Sequence, residues 1–169
     1  MAIKDLNELF RHELKTVYDA ELQLVEAIPQ MAEDATDAVL AEAFREHLAQ
    51  TRKQVSRLEQ LFAAIGVEPV AETCAGMQGL IEEGRKVLGE DAEPTVKDAA
   101  LISSAQRIEH YEIAAYGTLR VWAAIMGLDE VRQLLEESLE EEKMADRKLS
   151  EIAEATVNID AETEASELG

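Results

Sequence analysis

Only three prolines (Pro29, Pro69 and Pro94) and eight glycines interrupt 169 residues, so long stretches of the chain contain no helix breaker. Those stretches carry apolar residues at spacings of three and four. The period-two alternation of half-buried strands is missing throughout. This pattern constrains the fold more than any other feature, because long amphipathic helices can bury their stripes only against one another.

Four long helices are predicted. Helix A covers about residues 3–33, with Pro29 expected to bend its last turns. Helix B begins after an N-cap-like Thr36 or Asp37 and stops at Gly66, a C′ glycine. Helix C follows Pro94 and Thr95 and runs to Met126, closed by Gly127. Helix D starts at Asp129 and fades near Asn158. Segment 67–93 is too long for a turn, and Met77, Leu80, Ile81, Val87 and Leu88 predict a short fifth helix there. The A–B and C–D connections are short and make antiparallel hairpins. Two hairpins joined by one long crossover is the topology of a ferritin-like, up-down four-helix bundle. The predicted fold class is therefore all-α, with the bundle over residues 1–158 and an acidic, frayed tail over residues 159–169.

Charge and cysteine content narrow the function. With 16 Lys and Arg against 36 Asp and Glu, the formal net charge is −20. Such a surface excludes a general nucleic-acid binder and attraction to an anionic membrane. The single cysteine, Cys74, excludes an internal disulfide framework and a cysteine-built zinc site. The first residues carry charges where a signal peptide needs an apolar stretch, and no apolar run approaches a membrane span of about 20 residues. A cytoplasmic protein is expected.

The predicted core stripes are broken in one place each. Helix A reads Phe10, Leu14, Val17, Glu21, Leu24, Ile28, Met31. Helix B reads Leu40, Phe44, His47, Thr51, Gln54, Leu58, Leu61, Ile65. Helix C reads Ile102, Ala105, Glu109, Glu112, Tyr116, Leu119, Ala123, Met126, and helix D reads Leu135, Leu139, Glu142, Asp146, Leu149, Ala153. The polar breaks fall near the helix midpoints, and in a bundle of equal antiparallel helices the midpoints share one level. Glu21, His47, Glu109, Glu112, Glu142 and Asp146 are thus expected to converge in the interior, with Glu109 and Glu112 about 60° apart on one face. Five carboxylates at one level cannot stay ionised in a dry core without compensation. Either they share protons or they hold cations, and two divalent ions would bring a charge of −5 to about −1. Carboxylate oxygens with an imidazole form a hard site suited to iron or manganese. Gln50, one turn beyond His47, is a weak ligand or a hydrogen-bonding neighbour. Thr51 and Gln54 are read as interhelical hydrogen-bonding groups, and Tyr18 and Tyr111 as core residues with satisfied hydroxyls. Glu13, Glu26, Glu140 and Glu141 are read as surface, and His12 and His110 as solvent-facing or at a subunit contact.

The segments Tyr18-Asp19-Ala20-Glu21, Ala43-Phe44-Arg45-Glu46-His47-Leu48 and Cys74-Ala75-Gly76-Met77-Gln78-Gly79-Leu80-Ile81-Glu82-Glu83 resemble the YciE/YciF-type ferritin-like stress proteins of bacteria. So do Asp98-Ala99-Ala100-Leu101-Ile102 and the run from Ala105 to Leu119, which contains Arg107-Ile108-Glu109-His110-Tyr111-Glu112. Glu141-Glu142 and Ala145-Asp146 complete a resemblance that spans nearly the whole chain. It implies a ferritin-like bundle, commonly a homodimer, linked to general stress responses, with a metal centre proposed by likeness to rubrerythrin-type proteins. The chain departs from the usual ferritin-like pattern of Glu-x-x-His on the second and fourth helices. Helix B reads His47-Leu48-Ala49-Gln50, where relatives tend to carry Glu at the position of Gln50, and helix D offers Glu142 and Asp146 without histidine. Occupancy is accordingly expected at one or two ions.

The expected function is a ferritin-like protein binding non-haem iron or manganese, with Glu21, His47, Glu109, Glu112, Glu142 and Asp146 as ligands. Glu112 and Glu142 would bridge, and any turnover would be ferrous oxidation or peroxide reduction. The alternative is a non-catalytic helical interaction protein whose midplane residues form a metal-free hydrogen-bonded network. Trp122 or Ile125, if exposed, would mediate a homodimer.

Overall fold

The computed structural model describes residues 3–167. Six α-helices follow one another: α1 (Leu6–Asp34), α2 (Ala38–Ala64), α3 (Ala75–Leu88), α4 (Pro94–Ile125), α5 (Asp129–Ile152) and α6 (Asn158–Glu167). A π turn, Ala153–Val157, joins the last two. No strand occurs among the described residues. The structure is the expected all-α up-down bundle of α1, α2, α4 and α5, with α3 in the long crossover. Among the described residues, no helix is long and apolar enough to cross a membrane.

Local chemistry sets the boundaries. Asp5 caps α1 by accepting from the Glu8 N–H at 2.8 Å, and Asp37 caps α2 by accepting from Leu40 at 2.8 Å. Pro94 occupies the first turn of α4, where its missing N–H costs nothing. Gly66 (φ 66°) and Gly127 (φ 70°) take the left-handed conformation just beyond α2 and α4. There the Val67 N–H reaches the Phe62 carbonyl and the Leu128 N–H reaches Ala123, both at 2.9 Å, which closes two Schellman motifs. Helix α1 continues through Pro29 to Asp34.

One cap comes from a distant helix. Asp98 of α4 is buried and accepts three hydrogen bonds from the turn between α1 and α2: Thr36 N–H at 2.8 Å, Thr36 Oγ1 at 2.6 Å and Asp37 N–H at 2.8 Å. These bonds tie the crossover half of the bundle to the first hairpin.

The carboxyl end departs from expectation. Segment 158–167 is helical rather than frayed, and the π turn before it places Val157 and Ala153 in the core with Ile152. The extra residue in that wide turn shifts the apolar face, so the chain can leave α5 and still cover the bundle. Met1, Ala2, Leu168 and Gly169, the outer ends of the two expected segments, lie outside the described residues.

The hairpins pack as expected, α1 on α2 and α4 on α5. The apolar core forms two separate clusters. One contains Leu24, Ile28, Leu40, Phe44, Ile102, Ala105 and Leu149, and the other Phe10, Leu14, Leu58, Phe62, Tyr116, Leu119 and Leu135. The broken stripe positions lie between them.

Candidate metal centre

Each helix of the bundle sends a polar side chain into the layer between the clusters. Helix α1 supplies Glu21, α2 supplies His47 and Gln54, α4 supplies Glu109 and Glu112, and α5 supplies Glu142. Glu21, Gln54, Glu109, Glu112 and Glu142 are at most 2% exposed. One donor atom from each of His47, Glu109, Glu112 and Glu142 lies within 4.8 Å of all the others. Oxygen and nitrogen bind transition cations at about 2.0–2.2 Å, which puts opposite donors about 4 Å apart, close to this spacing.

Protein groups satisfy only part of the layer. Tyr116 donates its hydroxyl to Glu21 Oε1, and Gln54 donates its amide to Glu142 Oε1 and, at 3.1 Å, to Glu141 Oε2. His47 Nε2 lies 3.2 Å from Glu109 Oε1. Glu21 Oε2, His47 Nδ1, Gln54 Oε1, Glu109 Oε2, both oxygens of Glu112 and Glu142 Oε2 are buried with no partner from outside the layer, and the close pairs Glu21–Glu112 and Glu109–Glu142 can bond to each other only by sharing a proton. An orphaned buried polar atom costs about 1–3 kcal/mol, and more when charged. Such a concentration in one layer marks a place that the protein alone leaves incomplete.

Burial dominates the electrostatics. Desolvation, reinforced by the charge of Glu142, holds Glu21 and Glu109 well above the usual carboxylate range. Glu112 is raised by desolvation and by Glu21. Glu142 is pushed up to about 7 by desolvation, opposed by its hydrogen bond from Gln54. Burial lowers His47 to about 4, which leaves a neutral imidazole with a lone pair to offer. Hard oxygens, one neutral imidazole, tight spacing and absent counter-charges fit a transition cation.

Not every predicted residue enters this group. Asp146 is about one-fifth exposed, accepts from the Gln106 amide at 3.1 Å and lies 3.4 Å from His110 Nε2. One turn beyond Glu142, it has rotated toward the outer face of α4. Its charge still adds to the rise of Glu109. Glu21 touches the layer through Tyr116 but lies outside the four mutually close donors. Gln50 is half-buried and lines a pocket beside His47 and Glu109.

Several neighbours differ from the sequence reading. Gln54 makes the expected interhelical bonds, whereas Thr51 donates to the His47 carbonyl within its own helix at 3.0 Å. Glu141 is not a solvated surface residue, because Arg57 grips it through Nη1 at 2.7 Å and Nη2 at 3.0 Å. Arg57 went unmarked because it lies off the stripe. Its position three residues beyond Gln54, near the same face, was the available signal. Tyr18 donates to Glu59 at 3.1 Å, and the Tyr111 hydroxyl lies 3.0 Å from Cys74 Sγ. His110 is 69% exposed, while His12 pairs with Glu72 at 3.1 Å. Ile125 is exposed, but Trp122 is half-buried against the core.

The family described as "Domain of unknown function (DUF892)" matches residues 5–162, across all four bundle helices. The chain belongs to the DUF892 family. Among curated relatives, Protein YciF of Escherichia coli (strain K12) is 40% identical over 166 residues, covering 98% of this chain and 100% of that protein. Solved structures agree in fold. The crystal structure of the E. coli stress protein YciF superposes with a TM-score of 0.89 at 39% identity, covering 92% of this chain and 99% of that one. YcfI from Rhodopseudomonas palustris, described as a candidate structural protein, gives 0.86 at 42% identity over 88% and 94%. A Xanthomonas campestris pv. campestris protein, 22% identical with a TM-score of 0.74 over 95% and 98%, shares the fold.

Proposed function

We propose that this chain is a metal-binding, ferritin-like protein of the bacterial stress response. In this reading His47, Glu109, Glu112 and Glu142 hold iron or manganese, and Glu21 completes a site for one or two ions. The carrying observation is the cluster of buried, unpartnered carboxylate oxygens, whose pKa elevations come chiefly from desolvation. Above the pH at which these carboxyls give up their protons, a bound cation is what would neutralise them, since Arg57 reaches only the rim. The stress association rests on likeness to the E. coli stress protein YciF.

When bound, such a metal supplies one-electron redox chemistry toward oxygen, peroxide or ferrous iron. The chain's own residues set the conditions. Leu24 and Phe44 on one side and Leu58 and Leu135 on the other bound the layer with apolar packing along the bundle axis. Tyr116 and Gln54 hold Glu21 and Glu142 in fixed rotamers by donating to one oxygen each. This leaves the second oxygens free to ligate. Arg57 fixes Glu141 and sets a positive charge at the rim that moderates Glu142. A homodimer that covers the exposed Val121 and Ile125 belongs to the same reading.

Elemental analysis of protein purified without chelators tests it. Iron or manganese near one or two per chain is expected, and ferrous iron added at 100 times its Kd should stabilise the metal-free protein by about 2.7 kcal/mol. Absence of transition metal, together with an unchanged melting temperature on adding iron or manganese, would sink it. The second reading, a metal-free network that fixes helix register, is favoured by the bonds Tyr116–Glu21 and Gln54–Glu142. It would prevail on that outcome.

A further inference from the structure

Between α2 and α5 lies a pocket of about 220 Å³ that ends on the candidate centre. Ala43 and Phe44 of α2 face Ala145 and Leu149 of α5 across it, so its walls are largely apolar, with the half-buried Gln50 as the one polar group between rim and floor. His47 and Glu109 form its floor. A Lys148–Glu46 ion pair bridges the two helices at the outer rim, beside the exposed Met144. The volume exceeds what water, oxygen or hydrogen peroxide requires. A dry cavity of about 150 Å³ admits benzene, and a water claims only about 30 Å³.

We propose that this pocket binds a small neutral aliphatic molecule with a hydroxyl or hydroperoxyl head, its chain along the apolar walls and its head at His47 and Glu109. The floor decides the head group. His47 Nδ1 and Glu109 Oε2 are both buried and unpartnered. A hydroxyl or hydroperoxyl can both donate and accept, so it matches a floor in which one of these two atoms carries a proton and the other does not. A carboxylate can only accept, and it would meet Glu109 with Glu112 and Glu142 behind it. The walls reward chain length up to the depth of the pocket, about six carbons by comparison with the benzene-binding cavity. The binding does not depend on the metal reading.

Calorimetric titration of the metal-free protein tests the pocket on its own terms, with ethanol, 1-butanol, 1-hexanol and tert-butyl hydroperoxide as probes. Saturable binding is expected for 1-hexanol and tert-butyl hydroperoxide. Affinity should rise about fourfold per added methylene along the alcohols, the equivalent of about 0.8 kcal/mol. Hexanoate should bind at least tenfold more weakly than 1-hexanol. Ala145→Phe, which fills the pocket, and Met144→Trp, which caps it from an exposed position, should each abolish binding with the circular dichroism spectrum retained. Affinity independent of chain length, equal binding of hexanoate, or unchanged binding in both variants would overturn the proposal. Elemental analysis reads the metal separately. Alcohol binding without metal leaves the pocket standing and removes the centre, and metal without alcohol binding does the reverse.

Discussion

Replacing Glu142 with glutamine isolates the charge that the interior cannot neutralise. Glu142 is fully buried and titrates at about 7 rather than 4.5, chiefly through desolvation. A carboxyl raised in the folded state contributes stability that is complete below its unfolded value near 4.5 and is lost as pH climbs through about 7. At 1.36 kcal/mol per tenfold change in acidity, the separation of about 2.5 corresponds to about 3 kcal/mol lost by pH 8.5. Glu142→Gln removes the ionisation but keeps an amide oxygen to accept from Gln54. It also removes the charge that raises Glu21 and Glu109. In metal-free protein the substitution should therefore change stability little at pH 4.5. At pH 8.5 it should stabilise by about 3 kcal/mol, which for a domain of this size is about 6–12 °C in Tm. Urea denaturation at the two pH values, with metal-free samples verified by elemental analysis, measures both numbers. Saturating ferrous iron should reverse the order, because the variant lacks a donor. If Glu142→Gln is no more stable than the parent at pH 8.5 without metal, the carboxylate is not an uncompensated buried charge, and the argument for a cation fails with it.

Two further substitutions probe the frame around the site. Asp98→Ala removes both acceptor oxygens of three hydrogen bonds from the α1–α2 turn and should cost about 3 kcal/mol, read as a lower urea midpoint with unchanged slope. Tyr116→Phe leaves Glu21 without its donor. It should destabilise metal-free protein by about 1–2 kcal/mol in thermal denaturation, and it should weaken iron binding less than loss of Glu109 does.

Much of the centre was legible from spacing alone. Apolar residues at three and four, interrupted near the middle of four comparable helices, place Glu21, His47, Glu109, Glu112 and Glu142 at one level. The 3.6-residue period holds along each helix whatever its neighbours do. Gly66 and Gly127 were legible for a local reason, since a left-handed C′ residue depends on the turn and not on the fold. What depends on the rotation of one helix against another was not. The outward turn of Asp146 to Gln106 and His110 and the Arg57–Glu141 clamp both follow from how α2, α4 and α5 face each other.

By itself, then, the sequence determined the class of fold, the helix ends and the level at which polar residues enter the core, because each is written in local periodicity and capping. Only the tertiary structure decided which donors meet within 4.8 Å and that Asp98 caps a turn 62 positions away. It also decided that the chain stays helical past Asn158 and that a pocket opens onto His47. These are relations between surfaces brought together by packing, and no single helix carries them in its own pattern.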